Sequence, residues 1–227
     1  MKIACLHTAE SNVAVFDAAA SVLGLPEGVL HHEVRADLLA AAERAGGLND
    51  TIAQATRQAL LALAPRADAV LLTCSTLGPA VDALAHTTPP ILRTDAALAV
   101  AAVTAAASSK AGGKVVALCA VETTLGPTAN LFMQAAQATG ATVEVQLVPG
   151  AWALFKAGDV AGYLHTLAQA ADSAYAQGAS VVALAQASMN GAAGLVMAGA
   201  LPLSSPEAGL AAAVKAAAHG RGPGAGA

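Results

Sequence analysis

Two stretches of this 227-residue chain repeat one another with one telling change. Ala69-Val-Leu-Leu-Thr-Cys-Ser-Thr-Leu77 has a counterpart in Val181-Val-Ala-Leu-Ala-Gln-Ala-Ser-Met189, and Gln186 stands where the first copy has Cys74. The match extends further, because Ile3-Ala-Cys-Leu-His-Thr8 follows the pattern of Val116-Ala-Leu-Cys-Ala-Val121. The offsets are 116 − 3 = 113 and 186 − 74 = 112, and near-equal offsets across two motifs point to a duplicated unit. A hydrophobic run that ends in small polar residues before a helix presents those residues at the carboxyl edge of a parallel sheet, where open α/β folds bind ligands. Two such edges facing each other would make one cleft with a thiol on one wall and an amide on the other.

The rest of the chain supports that reading. Strand-like runs at Lys2–His7, Val29–Val34, Ala69–Thr73, Ile91–Arg93, Lys114–Ala120, Thr142–Val148 and Ser180–Ala185 alternate with Ala/Leu-rich helical segments. Those segments are Val13–Leu23, Asp37–Ala45, Asn49–Ala64, Ala96–Ala107, Pro127–Ala138, Val160–Gln177 and Ala208–Ala218. Such alternation predicts an α/β fold with a mostly parallel sheet. The repeat makes it two pseudo-symmetric Rossmann-like lobes flanked by helices, with the active site in the cleft between them. The first lobe is expected over residues 1–94 plus 206–219, exchanging its terminal helix, and the second over 95–205. The break falls near Thr94 or the Lys110-Ala-Gly-Gly113 loop. The Gly/Ala/Pro tail 220–227 has nothing to bury and is expected to be disordered.

Composition excludes several classes of function. Hydrophobic residues make up 56% and charged residues 11% of the chain, yet most of the apolar positions are alanines interrupted by polar residues. No window reaches the run of about 18 strongly apolar residues that a spanning helix needs. No secretory signal is visible, and a cytoplasmic location is expected. Three cysteines without metal-type spacing argue against a disulfide framework or a zinc site, so no metal is expected. A net charge of −4 with no Lys/Arg cluster argues against a nucleic-acid partner. The expected partner is a small carboxylate, with no membrane, and the Ala-rich helical surface suggests a homo-oligomer.

Cys74 follows a strand and precedes Ser75-Thr76-Leu77-Gly78-Pro79, which reads as a turn into a helix. A thiol at a helix N-terminus meets the positive end of the dipole and unpaired N–H groups. Placement of that kind lowers a cysteine pKa and makes thiolate available as base or nucleophile. The same N–H groups, with the Ser75 and Thr76 hydroxyls, can hold a carboxylate. An inert buried thiol is the competing reading; it suits Cys5 and Cys119, which lie inside apolar runs. At the other strand ends, Ser11 and Asn12 serve either as helix N-caps or as substrate-binding groups. Thr123 and Thr124 in the second lobe have the same two readings. His31 and His32 are adjacent on a strand and so point to opposite faces, which disfavours joint ligation of an ion. His86 and His165 are placed on solvated helices.

Together these residues resemble the aspartate/glutamate/hydantoin racemase superfamily, which includes arylmalonate decarboxylase and maleate isomerase. The resemblance rests on His7-Thr-Ala-Glu-Ser-Asn12, Thr73-Cys-Ser-Thr76, Val121-Glu-Thr-Thr124 and Leu184-Ala-Gln-Ala-Ser-Met189. It implies a cofactor-independent enzyme in which two cysteines, one per lobe, exchange a proton on opposite faces of the carbon beside a carboxylate. Cys74 matches the first; the second falls at Gln186, which cannot exchange a proton at a useful pKa. In the decarboxylase branch the single cysteine sits in the second lobe, the mirror image of the arrangement here. The carboxylate cradle would correspond to Ser75, Thr76, Ala187 and Ser188. The expected activity is therefore that of a racemase or isomerase with catalytic Cys74. The residues Ser11, Asn12, Ser75, Thr76, Thr123, Thr124, Gln186 and Ser188 would bind substrate. A decarboxylase, a maleate-type isomerase using Cys74 as nucleophile, and a non-catalytic small-acid binding protein are the alternatives. A second base, if racemisation needs one, would be water, Glu122 or His7.

Overall fold

The computed structural model describes residues 1–108 and 113–220. The Lys110–Gly113 break is thus mostly, and the expected disordered tail almost wholly, outside the described residues. In chain order the elements are β1 (Ile3–His7), α1 (Ser11–Val22), β2 (Leu30–Val34), α2 (Ala36–Arg44), α3 (Asp50–Leu63), β3 (Ala69–Leu72) and β4 (Ile91–Arg93). There follow α4 (Thr94–Ala107), β5 (Lys114–Cys119), α5 (Leu125–Ala136), β6 (Thr142–Leu147), α6 (Ala151–Lys156), α7 (Val160–Ala176), β7 (Val181–Leu184), β8 (Leu203–Ser204) and α8 (Ser205–Gly220). The chain divides into two compact units, one of Met1–Thr94 with the chain from Pro206 onward, the other of Asp95–Ser205. No described helix is long and apolar enough to cross a membrane.

Each unit is built on a four-stranded sheet, in the order β2-β1-β3-β4 in the first and β6-β5-β7-β8 in the second. Every recorded strand pair is parallel. All residues of β1 and β3 are buried, as expected of central parallel strands covered on both faces. The central strand pairs of the two sheets share one register. Ile3 pairs with Ala69 and Val115 pairs with Val181, giving 115 − 3 = 112 and 181 − 69 = 112. The sequence alignment of the first motif, with its offset of 113, is therefore one residue out. His7 corresponds to Cys119, and Thr8 to Ala120. A short apolar run can slide by one position without losing hydrophobic matches, whereas backbone pairing cannot.

Two elements escape sequence reading. Strand β8 has two residues and α6 has six, too short for a periodic signal. The segments after β3 and β7 are 3-10 helices, Gly78–Leu84 and Ala187–Leu195, rather than α-helices. His86 is exposed in a turn instead of on a helix.

The first core is aliphatic, with Leu6, Leu38, Leu60, Leu72 and Leu77, and the second adds the ring of Tyr163 to Leu118, Leu167, Leu184 and Met189. Each fully buried leucine contributes roughly 1.5–3 kcal/mol. Helix α3 is fixed at its start by Asn49, whose side chain accepts a hydrogen bond from Ile52 N at 3.0 Å. Replacing Asn49 with Ala should cost about 1 kcal/mol, read as a lower urea midpoint at unchanged slope; an unchanged midpoint would remove the cap from the account.

Candidate active site

In the first unit the carboxyl edge of the sheet gathers the ends of β1, β3 and β4. Chain leaving β3 passes through Thr73 and Cys74 and then turns at Ser75, Thr76 and Leu77. Thr73, Ser75 and Thr76 are buried, and Cys74 is partly exposed. Of the chain's three cysteines the other two, Cys5 and Cys119, are wholly buried. Burial, with Asp17 nearby, pushes the Cys5 thiol up to about 12; burial also raises that of Cys119. The 3-10 helix starts only at Gly78, whose N–H donates to Ser75 O at 3.2 Å. Cys74 thus lies four residues ahead of a short 3-10 helix and not at the N-terminus of an α-helix. A helix dipole therefore does not activate Cys74, because the field falls off within the first turn.

Arg93 ends β4 beside this turn, in register with Leu72 of β3. Its buried guanidinium lies 3.3 Å from Asp82 and packs against Gly78. A Cβ at position 78 would displace it from this position.

At the end of β1, His7 is fully buried. Its Nδ1 is 2.9 Å from Thr73 Oγ1 and its Nε2 is 2.8 Å from His32 Nδ1. His32 Nε2 in turn meets Asp17 Oδ1 at 3.1 Å. Burial first, and then the neighbouring His32, lower the His7 imidazole to about 4 against a weaker opposing pull from Asp17. With both ring nitrogens engaged, His7 is not available as a second base. Ser11 is exposed and Asn12 is buried, and helix α1 has Glu10 at its N-cap with no side-chain cap bond. Neither Ser11 nor Asn12 therefore caps α1. The Asn12 Oδ1 is a buried acceptor with no hydrogen-bond partner among the described residues.

In the second unit Gln186 Oε1 accepts a hydrogen bond from Ala120 N at 2.6 Å, which ties the side chain to the end of β5. Ser188 Oγ is 2.9 Å from Tyr163 Oη. Thr124 donates to Val121 O at 2.6 Å, so its hydroxyl serves the local turn. The Thr123 hydroxyl oxygen is buried without a hydrogen-bond partner among the described residues. Glu122 is exposed. Sequence reading missed the Cys5, His7, His32 and Asp17 cluster. Strand parity places Cys5 and His7 on one face, but only the β1–β2 register reveals that His32 joins them.

No protein-family model matches the sequence, and no curated sequence matches it either. Solved structures do. A glutamate racemase isoform from Bacillus anthracis superposes with a TM-score of 0.68 at 15% identity, over 96% of this chain and 82% of the other. Aspartate racemase from Picrophilus torridus gives 0.67 at 15% identity, over 96% and 95%. Glutamate racemase from Aquifex pyrophilus gives 0.61 at 14% identity, over 95% and 83%. The chain has the two-unit α/β fold of the aspartate/glutamate racemase superfamily.

Proposed function

We propose that the protein is an enzyme of the aspartate/glutamate racemase type, working without an organic cofactor. It transfers a proton at the carbon next to a carboxylate of a small amino acid or related acid, with Cys74 as its one reactive thiol. The observation that carries this reading is the contrast among the cysteines: Cys74 reaches solvent at the carboxyl edge of a parallel sheet, while the other two thiols are sealed in the core. Thiolate at that position takes a proton from the substrate carbon or returns one to it. Charge that develops on the carboxylate as the carbanion forms is held by the Ser75 and Thr76 hydroxyls and nearby backbone N–H groups, each donor worth up to about 3 kcal/mol. Asn12 Oδ1, a buried acceptor in need of a donor, suits a substrate ammonium group.

Gln186 brings no acid or base, and its carbonyl oxygen is already held by Ala120 N. A single thiol delivers its proton to one face, which favours stereoselective isomerisation or decarboxylation over symmetric two-thiol racemisation. The test is solvent exchange in D₂O followed by NMR over a panel of amino acids, hydantoins and substituted malonates. Deuterium incorporated with one configuration, or stereoselective CO₂ loss, is the expected result. Ligand-induced thermal stabilisation with neither exchange nor CO₂ loss would replace the enzyme with a small-acid binding protein. A covalent adduct on Cys74 in intact-mass spectra would instead make the thiol a nucleophile of the maleate isomerase kind.

A further inference from the structure

On one face of the first sheet lies a cluster that the proton-transfer chemistry does not use. Cys5 and His7 are two residues apart on β1 and so share a face. His32 sits beside Cys5 on β2, its register partner. The Cys5 sulfur and one ring nitrogen from each histidine all lie within 4.8 Å of one another. Cys5 and His7 are buried, and the His32 side chain retains 15% exposure.

The hydrogen bonds around the cluster determine what its centre can accept. Asp17 is a carboxylate acceptor, so His32 presents Nε2–H to it and turns the Nδ1 lone pair inward. When the Thr73 hydroxyl donates to Leu6 O at 3.1 Å and accepts from His7 Nδ1–H, the His7 Nε2 lone pair turns inward as well. Two lone pairs then face each other across 2.8 Å, the arrangement that a bound cation selects.

We propose that Cys5 Sγ, His7 Nε2 and His32 Nδ1 form a three-ligand site for a thiophilic divalent cation of the zinc class. Thiolate with two imidazoles is the donor set such ions prefer. Zinc takes sulfur at about 2.3 Å and nitrogen at about 2.0–2.1 Å, so tetrahedral ligands stand roughly 3.3–3.7 Å apart. The imidazole nitrogens open by roughly half an ångström and the sulfur closes by up to about one. Binding releases the Cys5 thiol proton, and any proton shared by the two imidazoles, to solvent. The ion then deprotonates a thiol that burial otherwise keeps neutral. The outer partners are in place: a carboxylate on His32 and a hydroxyl on His7 orient the rings as they do around metal-bound histidine. Thiolate and the Asp17 carboxylate together balance the charge of a dication. A cavity of about 490 Å³ lined by Asp17, Ser21, Glu27 and His32 leads to the exposed side of the cluster, and its two acids favour a cation. Through the Thr73 hydrogen bond the ion would also brace the strand end that carries Cys74.

The experiment is a Co²⁺ titration of the chelator-stripped full chain. One equivalent is expected to bind with a thiolate-to-cobalt charge-transfer band, to be displaced by Zn²⁺, and to raise the melting temperature. Cys74→Ala keeps the band, so the result is independent of whether the proton-transfer reading holds. Cys5→Ser loses the band, and Asp17→Asn weakens binding by roughly 10–100-fold. If Cys5→Ser fails to fold, His32→Gln, altered at the exposed side of the cluster, should lose the one-equivalent binding. Absence of a thiolate band in the intact protein overturns the site. So does a band that survives Cys5→Ser, or one that disappears with Cys74→Ala.

Discussion

Replacing Cys74 with alanine is expected to lower α-proton exchange by roughly 10²–10⁴-fold, the contribution of a positioned acid–base group. Folding should barely change. Cys74 is only partly buried and lies at the margin of the first core, so the substitution should move the unfolding free energy by no more than about 1 kcal/mol. Cys74→Ser is the sharper variant. It keeps the shape and a polar atom but replaces a thiol with a hydroxyl that ionises far less readily, so it should be nearly as inactive as the alanine. Both are read by NMR in D₂O on the best substrate of the panel, with circular dichroism to verify the fold. Exchange at the parent rate in Cys74→Ser would exclude the thiol as the proton carrier.

Tyr163→Ala is expected to have the largest effect on stability. The side chain is the largest fully buried one among the described residues. Its ring tilts against Phe155 with centroids 5.1 Å apart, and its hydroxyl meets Ser188. Truncation removes the ring contacts and leaves a cavity, together costing roughly 3–5 kcal/mol, a large part of the 5–15 kcal/mol that holds a typical domain together. Tyr163→Phe keeps the ring and loses one hydrogen bond; Ser188 is half-exposed and can turn to water, so about 1 kcal/mol is expected. Trp152, the chain's single tryptophan, stacks on Phe155 at 5.0 Å and reports this core directly by fluorescence. Equal denaturation midpoints for Tyr163→Ala and Tyr163→Phe would show that the ring packing carries little of the stability.

The same locality explains what could be read before any coordinates. All seven strand-like runs end within one residue of the observed strands, and the seven helical segments within three. Period and propensity act over a few neighbouring residues, which is all that a sequence displays directly. Strand β8 and helix α6 are too short to establish a period. The 3-10 helix after Cys74 departs from the expected α-helix, and its seven residues are too few to display a helical period.

By itself the sequence determined the class of fold, the duplication and the one cysteine placed after a strand among polar neighbours, because each of these is written in contiguous residues. Only the tertiary structure decided the rest. It moved the repeat to a common offset of 112, engaged both nitrogens of His7, and tied Gln186 to Ala120. It also set Cys5 of β1 beside His32 of β2 under the carboxylate of Asp17. Those relations join residues far apart in the chain, and the registers of parallel strands and the packing of helices over them fix which side chains meet.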